Sequence, residues 1–193
     1  MPTRSARLNR LLERLLIPLL AVVAAAPQST LAQDTATPVL HGRHWAAITG
    51  KPLAASAGAM MFARGGNAID AACAMLGATA TMWDVLSWGG ETQALIYNPN
   101  TGKVIGINAL GVAPTGATPE FFREQGMIYP PEYGPLAAVT HGTPGGLMVM
   151  LAEYGQLSLA EVLKPAMEMA EGYPIEAAAA ANIARRQDLL LQW

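Results

Sequence analysis

Apolar and polar positions recur with two different periods along this chain, and the changes of period divide it into elements. From Pro52 to Arg64, and again from just after Asn67, apolar residues fall at three-to-four-residue spacing, which predicts two successive helices. Pro52 fits the first turn of the first helix. The second carries Ile69, Ala72, Cys73, Leu76 and Ala80 on one expected apolar face. From Gln93 to Tyr97 and from Lys103 to Asn108 the pattern becomes strand-like. Asn98-Pro99-Asn100-Thr101-Gly102 between them supplies turn chemistry, so residues 93–108 read as a hairpin. The short apolar run from Trp45 to Thr49 has the character of an edge strand.

Beyond the hairpin the helical period returns. Thr118-Pro119-Glu120 offers a cap, a first-turn proline and a first-turn acid for a short helix through Arg123, and residues 126–137 form a loop rich in Gly, Pro and Tyr. Thr143-Pro144-Gly145-Gly146 opens a helix that ends at Tyr154-Gly155, and Ser158-Leu159-Ala160-Glu161 is an S-x-x-E capping box for the next. Pro165 is expected to kink or split that helix, and Gly172 to close it.

The tightest corner lies at Gly65-Gly66-Asn67-Ala68-Ile69-Asp70, where one helix stops and another starts almost without a loop. Gly65 and Gly66 can take the left-handed backbone that ends a helix, and Arg64 places a positive charge at the negative end of the dipole. Asn67 is a good N-cap. Asp70, three residues on, makes the pair resemble a capping box with Asp in place of Glu or Gln. On spacing alone, this is the buried helix–turn–helix corner of any Ala-rich domain.

Composition narrows the class. The chain has 193 residues, 52% hydrophobic and 13% charged, enough apolar material for a proper core and too little charge for a disordered or nucleic-acid-binding protein. Residues 1–32 read as a secretory signal peptide, with Arg4, Arg7, Arg10 and Arg14 in front, Leu15 to Ala26 apolar, and Thr30-Leu31-Ala32 as the cleavage site. No stable membrane anchor is expected, because the apolar stretch is short and interrupted by Pro18. Residues 33–43 read as a leader and residues 44–193 as the domain. Removing the first 32 residues leaves eight basic residues against thirteen acidic ones, a formal charge near −5, and phosphate backbones are poor partners for that. Cys73 is the single cysteine and sits in a helical, Ala-rich pattern, so it reads as core.

The wording of the corner goes further than its spacing. Gly65-Gly66-Asn67-Ala68-Ile69-Asp70-Ala71-Ala72 resembles the GGNAxDAA signature of the γ-glutamyltransferase family of N-terminal nucleophile (Ntn) hydrolases. Ser87-Trp88-Gly89-Gly90 before the hairpin is similar to the family's serine and glycine loop, with a shorter glycine run, and Thr143 to Ile175 resembles a further family block. The likeness covers about residues 44–193. It implies an α+β fold, a mainly helical N-terminal portion of a four-layer αββα Ntn architecture with a small β-hairpin, incomplete as it stands.

The resemblance also implies a chemistry. Such enzymes cut their own chain, and the new N-terminal threonine attacks an amide with its α-amine as base. That threonine belongs to a downstream small subunit, so no catalytic residue is expected in this stretch. The family usually has Arg-Glu-x-Ala-Pro where this chain has Leu110-Gly111-Val112-Ala113-Pro114, which places Leu110 at the position of the arginine that grips a γ-glutamyl carboxylate. Leucine cannot bind a carboxylate, so the substrate is not γ-glutamyl or another residue supplies the charge. Arg123 is the only basic residue within fifteen positions after it.

Thr140-His141 is no nucleophile and base pair, because adjacent side chains in an extended segment point to opposite faces. His41 and His44 lack a third metal ligand, and neither metal nor cofactor is expected. The expected function is that of the N-terminal piece of a secreted or periplasmic γ-glutamyltransferase-like amidohydrolase or acyltransferase. It would act on a small-molecule amide or peptide once joined to the small subunit. The alternative from another class is a secreted helical binding or scaffold domain without catalysis. The apolar run Leu189-Leu190-Leu191-Gln192-Trp193, with no helix stop, marks the chain as a fragment on this reading.

Overall fold

A computed structural model describes residues 39–82 and 88–192, and residues 42–193 form one compact unit. The signal-peptide reading of residues 1–32 and the serine of the glycine loop, Ser87, lie outside the described residues. Helix α1 runs Pro52–Ala63 with its proline in the first turn. It stops at Arg64, where Gly65 takes a φ of 85° that residues with a side chain rarely adopt. Helix α2, Ala68–Met82, follows after the Gly66-Asn67 corner. Gly66 itself has no positive φ, so only one of the two glycines serves as the left-handed stop. The other is required for space. A Cβ on Gly66 would lie 2.7 Å from Leu157 Cδ1 and 3.0 Å from both Asp70 Oδ2 and the Met61 carbonyl oxygen.

Small side chains let the helices close up. Ala54, Ala57 and Met61 of α1 and Ala71, Cys73, Ala74 and Ala78 of α2 are buried, at a packing distance that bulkier residues would not permit. The expected face of α2 is only partly correct. Of Ile69, Ala72, Cys73, Leu76 and Ala80, Cys73 alone is fully buried, Ala72 is exposed, and the other three are half-buried. The buried set is instead Asp70, Ala71, Cys73, Ala74, Gly77, Ala78, Thr79 and Met82. The reason is that α2 is covered by several neighbours, α1, the helix α4 and the helix α5 defined below, and a chain of alanines gives no amphipathic contrast to say which side each will take.

Strands β1 (Thr92–Asn98) and β2 (Lys103–Ala109) pair antiparallel, with Thr92 opposite Ala109 and Tyr97 opposite Val104. The hairpin is as expected. Asn98 accepts from the Asn100 amide, and Gly102 closes the turn at a φ of 65°. The run from Trp45 to Thr49, by contrast, forms no strand. Its apolar character is used in packing. The Trp45 ring stacks on Phe62 of α1 at 4.9 Å and 14° while staying half exposed, so the run packs against a helix without forming a sheet edge.

Helix α3 (Pro119–Glu124) is capped by Thr118, whose hydroxyl accepts from Phe121 N–H, and a 3₁₀ turn occupies Pro135–Ala137 inside the expected loop. Helix α4 (Thr143–Tyr154) lies against both strands and against α2. Helix α5 (Leu159–Glu171) starts on the Ser158–Glu161 capping box, with both reciprocal bonds formed, and ends at Gly172. Pro165 does not split it: α5 is one continuous helix with Pro165 fully buried. Burial of the ring against the core offsets the missing N–H bond. Helices α6 (Ala177–Arg185) and α7 (Gln187–Leu190) complete the described chain, the Glu176 carboxylate before α6 taking a 3.1 Å salt bridge from Lys51.

Cys73 is core, as its pattern indicated. Burial, with a smaller contribution from the Asp70 charge, pushes its thiol up to about 12 from 9.0. The thiolate is the reactive form, so alkylation at pH 8 is expected to be slow in the folded protein and fast in denaturant. Labelling of Cys73 at equal rates in both states, followed by mass spectrometry, would contradict this.

Candidate functional site

Helix α4 joins two constellations, one at each of its ends. At its C-terminal end the sequence motif becomes a closed latch. Asn67 Oδ1 accepts from Ile69 N–H at 2.8 Å and Asp70 N–H at 3.2 Å, while Asp70 Oδ2 accepts from Asn67 N–H at 2.7 Å, so the expected reciprocal box forms. Each side chain then reaches 86 or 87 residues along the chain. Asn67 Nδ2 donates to the Tyr154 carbonyl at 2.7 Å, and the Asp70 carboxylate accepts from Gln156 N–H at 3.0 Å and Leu157 N–H at 3.1 Å. Asp70 is fully buried, and no Lys or Arg bridges it among the described residues. Backbone dipoles and the N-terminus of α2 therefore carry the work of stabilising the charge.

The latch also explains a second glycine. A Cβ on Gly155 would stand 2.8 Å from the Leu151 carbonyl and 2.9 Å from Asp70 Oδ1. Sequence reasoning identified Asn67 and Asp70 as a local cap and missed their long-range partners. The signal was the Tyr154-Gly155 helix stop, which read only as an end.

At its N-terminal end α4 is pressed against the end of β2. The Thr92 and Thr143 hydroxyls meet at 3.0 Å, both residues buried, and pin the start of β1 to the first residue of α4. A Cβ on Gly146 would collide with Ala109 Cβ, and one on Gly142 with the Ala109 carbonyl and the Gly111 amide. Backbone lies on backbone here. Alongside is an open hollow of about 370 Å³ lined by Gly106 to Ala109, Gly142, Gly145, Gly146 and Val149.

Leu110 follows directly on this contact. Its side chain is 44% exposed, and its amide is held by Asn108 Oδ1 at 3.2 Å. Two residues on, the Val112 carbonyl accepts from Thr140 N–H at 2.9 Å, which ties the strand's extension to the segment leading into α4. Arg123, the candidate substitute for a missing guanidinium, is on the surface of α3 and bonded to Glu120 at 3.0 Å. His141 and Thr140 are exposed. Among the described residues no group of three or more His, Cys, Asp or Glu could hold a metal ion, and no helix is long and apolar enough to cross a membrane.

The α+β arrangement of helices laid against an antiparallel hairpin is shared with solved Ntn-hydrolase transpeptidases and acylases. The described fold is similar to the γ-glutamyltranspeptidase of Helicobacter pylori, at a TM-score of 0.74 and 32% identity over 81% of this chain and 46% of that one. It is also similar to the cephalosporin acylase of Bacillus halodurans, at 0.68 and 33% over 83% of this chain and 31% of that one. The gamma-glutamyltranspeptidase family model matches residues 54–193, and the chain belongs to that family.

Among curated relatives, the Bacillus subtilis (strain 168) glutathione hydrolase proenzyme is 33% identical over 157 residues, 77% of this chain. The acylase ACY 1 proenzyme of Pseudomonas sp. (strain SE83) is 33% identical over 141 residues, 64% of this chain. The chain spans about a quarter of the length of these relatives, 26% and 24% respectively.

Proposed function

We propose that residues 44–193 are the N-terminal part of the large subunit of an exported amidohydrolase or acyltransferase. On this reading residues 1–32 are the signal peptide, residues 33–43 the leader, and the periplasm or exterior the destination. The nucleophile is the N-terminal threonine of a downstream small subunit. Its hydroxyl oxygen attacks the amide carbon of a small-molecule or peptide substrate and the α-amine takes the hydroxyl proton. The C–N bond then breaks as that proton passes to the leaving amine, and water or an acceptor amine removes the acyl group from the threonine.

The observation that carries the substrate class is Leu110. It is exposed and directly follows Ala109, which lines the glycine-rich hollow, and Arg123 is engaged elsewhere by Glu120. A charge-assisted hydrogen bond is worth about 1.5–3 kcal/mol, so a γ-glutamyl carboxylate placed against leucine loses roughly ten- to hundredfold in binding and is left desolvated without a partner. The preferred acyl group is therefore uncharged at that end. The similarity to acylases as well as to glutathione hydrolases supports this reading.

The full-length protein, with Leu110 and with Leu110→Arg, is to be assayed on a γ-glutamyl anilide and a neutral acyl anilide. The expected result is preference for the neutral substrate, with the arginine raising γ-glutamyl kcat/KM by about tenfold or more. Efficient γ-glutamyl turnover by the Leu110 form, unchanged or reduced by arginine, would sink the proposal.

A further inference from the structure

The latch at one end of α4 and the contact at the other have no polar partner in common, yet a single rigid element connects them. A 12-residue helix spans about 18 Å and moves as a body, because its backbone bonds resist bending. Its C-terminal end is held by Asn67 and by the buried Asp70 carboxylate. Its N-terminal end sets Ala109, through Gly146, and the Gly111 amide, through Gly142. Leu110 lies between those two residues. A shift of α4 along or about its axis therefore moves the backbone that carries Leu110.

We propose that Asp70 and Asn67 are positioning residues for the acyl-binding end of the site, acting at a distance through α4. The inference rests on the reading above that Leu110 marks that end. A buried carboxylate that accepts from the Gln156 and Leu157 amides, with Asn67 Nδ2 donating to the Tyr154 carbonyl beside it, fixes the C-terminal end of α4 against the start of α2 in three bonds. Asp70→Asn keeps the shape and removes that fixation, since an amide group has one oxygen acceptor and presents its own N–H₂ to amide donors. Glycines at 66 and 155 permit this close approach, since a Cβ on either would meet the Asp70 carboxylate.

The test uses the full-length protein and two readouts. Hydrogen exchange followed by mass spectrometry on Asp70→Asn is expected to rise about tenfold in peptides covering residues 154–158 and also in those covering 105–112 and 142–147, with α6 as an unaffected control. Exchange confined to 66–70 and 154–158 would overturn the proposal, as would a uniform rise that includes α6, because either marks a purely structural role.

The second readout is a double-mutant cycle on kcat/KM with the neutral acyl anilide, pairing Asp70→Asn with Thr143→Val at the opposite end of α4. Sites this far apart are additive unless something links them. Asp70→Asn is expected to lower kcat/KM about tenfold or more, mainly in kcat, with the double variant clearly non-additive. Strict additivity, or kcat/KM within twofold of wild type despite a lower melting temperature, counts against it. If the wild-type protein turns over neither anilide, the functional reading fails, while the exchange pattern still decides this inference.

Discussion

Asp70→Ala is expected to destabilise the folded protein by about 3–5 kcal/mol, the largest effect of any single substitution outside the apolar core. Three backbone amides, those of Asn67, Gln156 and Leu157, lose their acceptor at once in a buried setting. An unsatisfied buried donor costs about 1–3 kcal/mol, and water entering the vacated space recovers part of that. Asn67 is left holding α4 alone through Tyr154. Urea unfolding of the full-length protein measures the change, with Ser158 and Glu161 untouched as the neighbouring cap. A loss below about 1 kcal/mol would show that the amides find other partners and that the latch is not what joins α2 to the turn after α4.

Gly146→Ala and Gly145→Ala should have opposite signs although they are adjacent on the same turn of α4. Alanine gains about 1 kcal/mol over glycine in a helix, and Gly145 has open space where the Cβ would go, so that substitution stabilises. At Gly146 the same Cβ drives into Ala109, and overpacking costs about 1–3 kcal/mol, occasionally more. The clash must exceed the propensity gain before destabilisation appears. The net loss is expected at about 1–2 kcal/mol, and Ala109→Gly in the same chain should restore most of it by reopening the contact. Thermal melts of the three variants decide the matter. Two stabilising alanines would mean that α4 can lift off β2 freely.

The hairpin, the Thr118 and Ser158 caps, the Gly65 and Gly172 stops and the Asn67–Asp70 box were legible in the residues because each depends on partners within four positions or on a turn type with few solutions. Local chemistry of that kind determines itself. The family signature added the fold, which no spacing argument reached.

Tertiary structure decided the rest. Which face of α2 is buried could not be read from alanines that fit equally well on every side, and it took three neighbouring helices to choose. Trp45 looked like strand and found an aromatic partner instead, and Pro165 stayed inside an unbroken helix because the core covers its ring. The latch shows the division within one residue. Asp70 as a cap for its own helix is written in the sequence, whereas Asp70 as the acceptor for Gln156 and Leu157 exists only once folding brings amides 86 and 87 positions away against it. Glycines 66, 146 and 155 are of the same kind: the sequence shows that they lack a side chain, and only the packing shows what would have occupied the space.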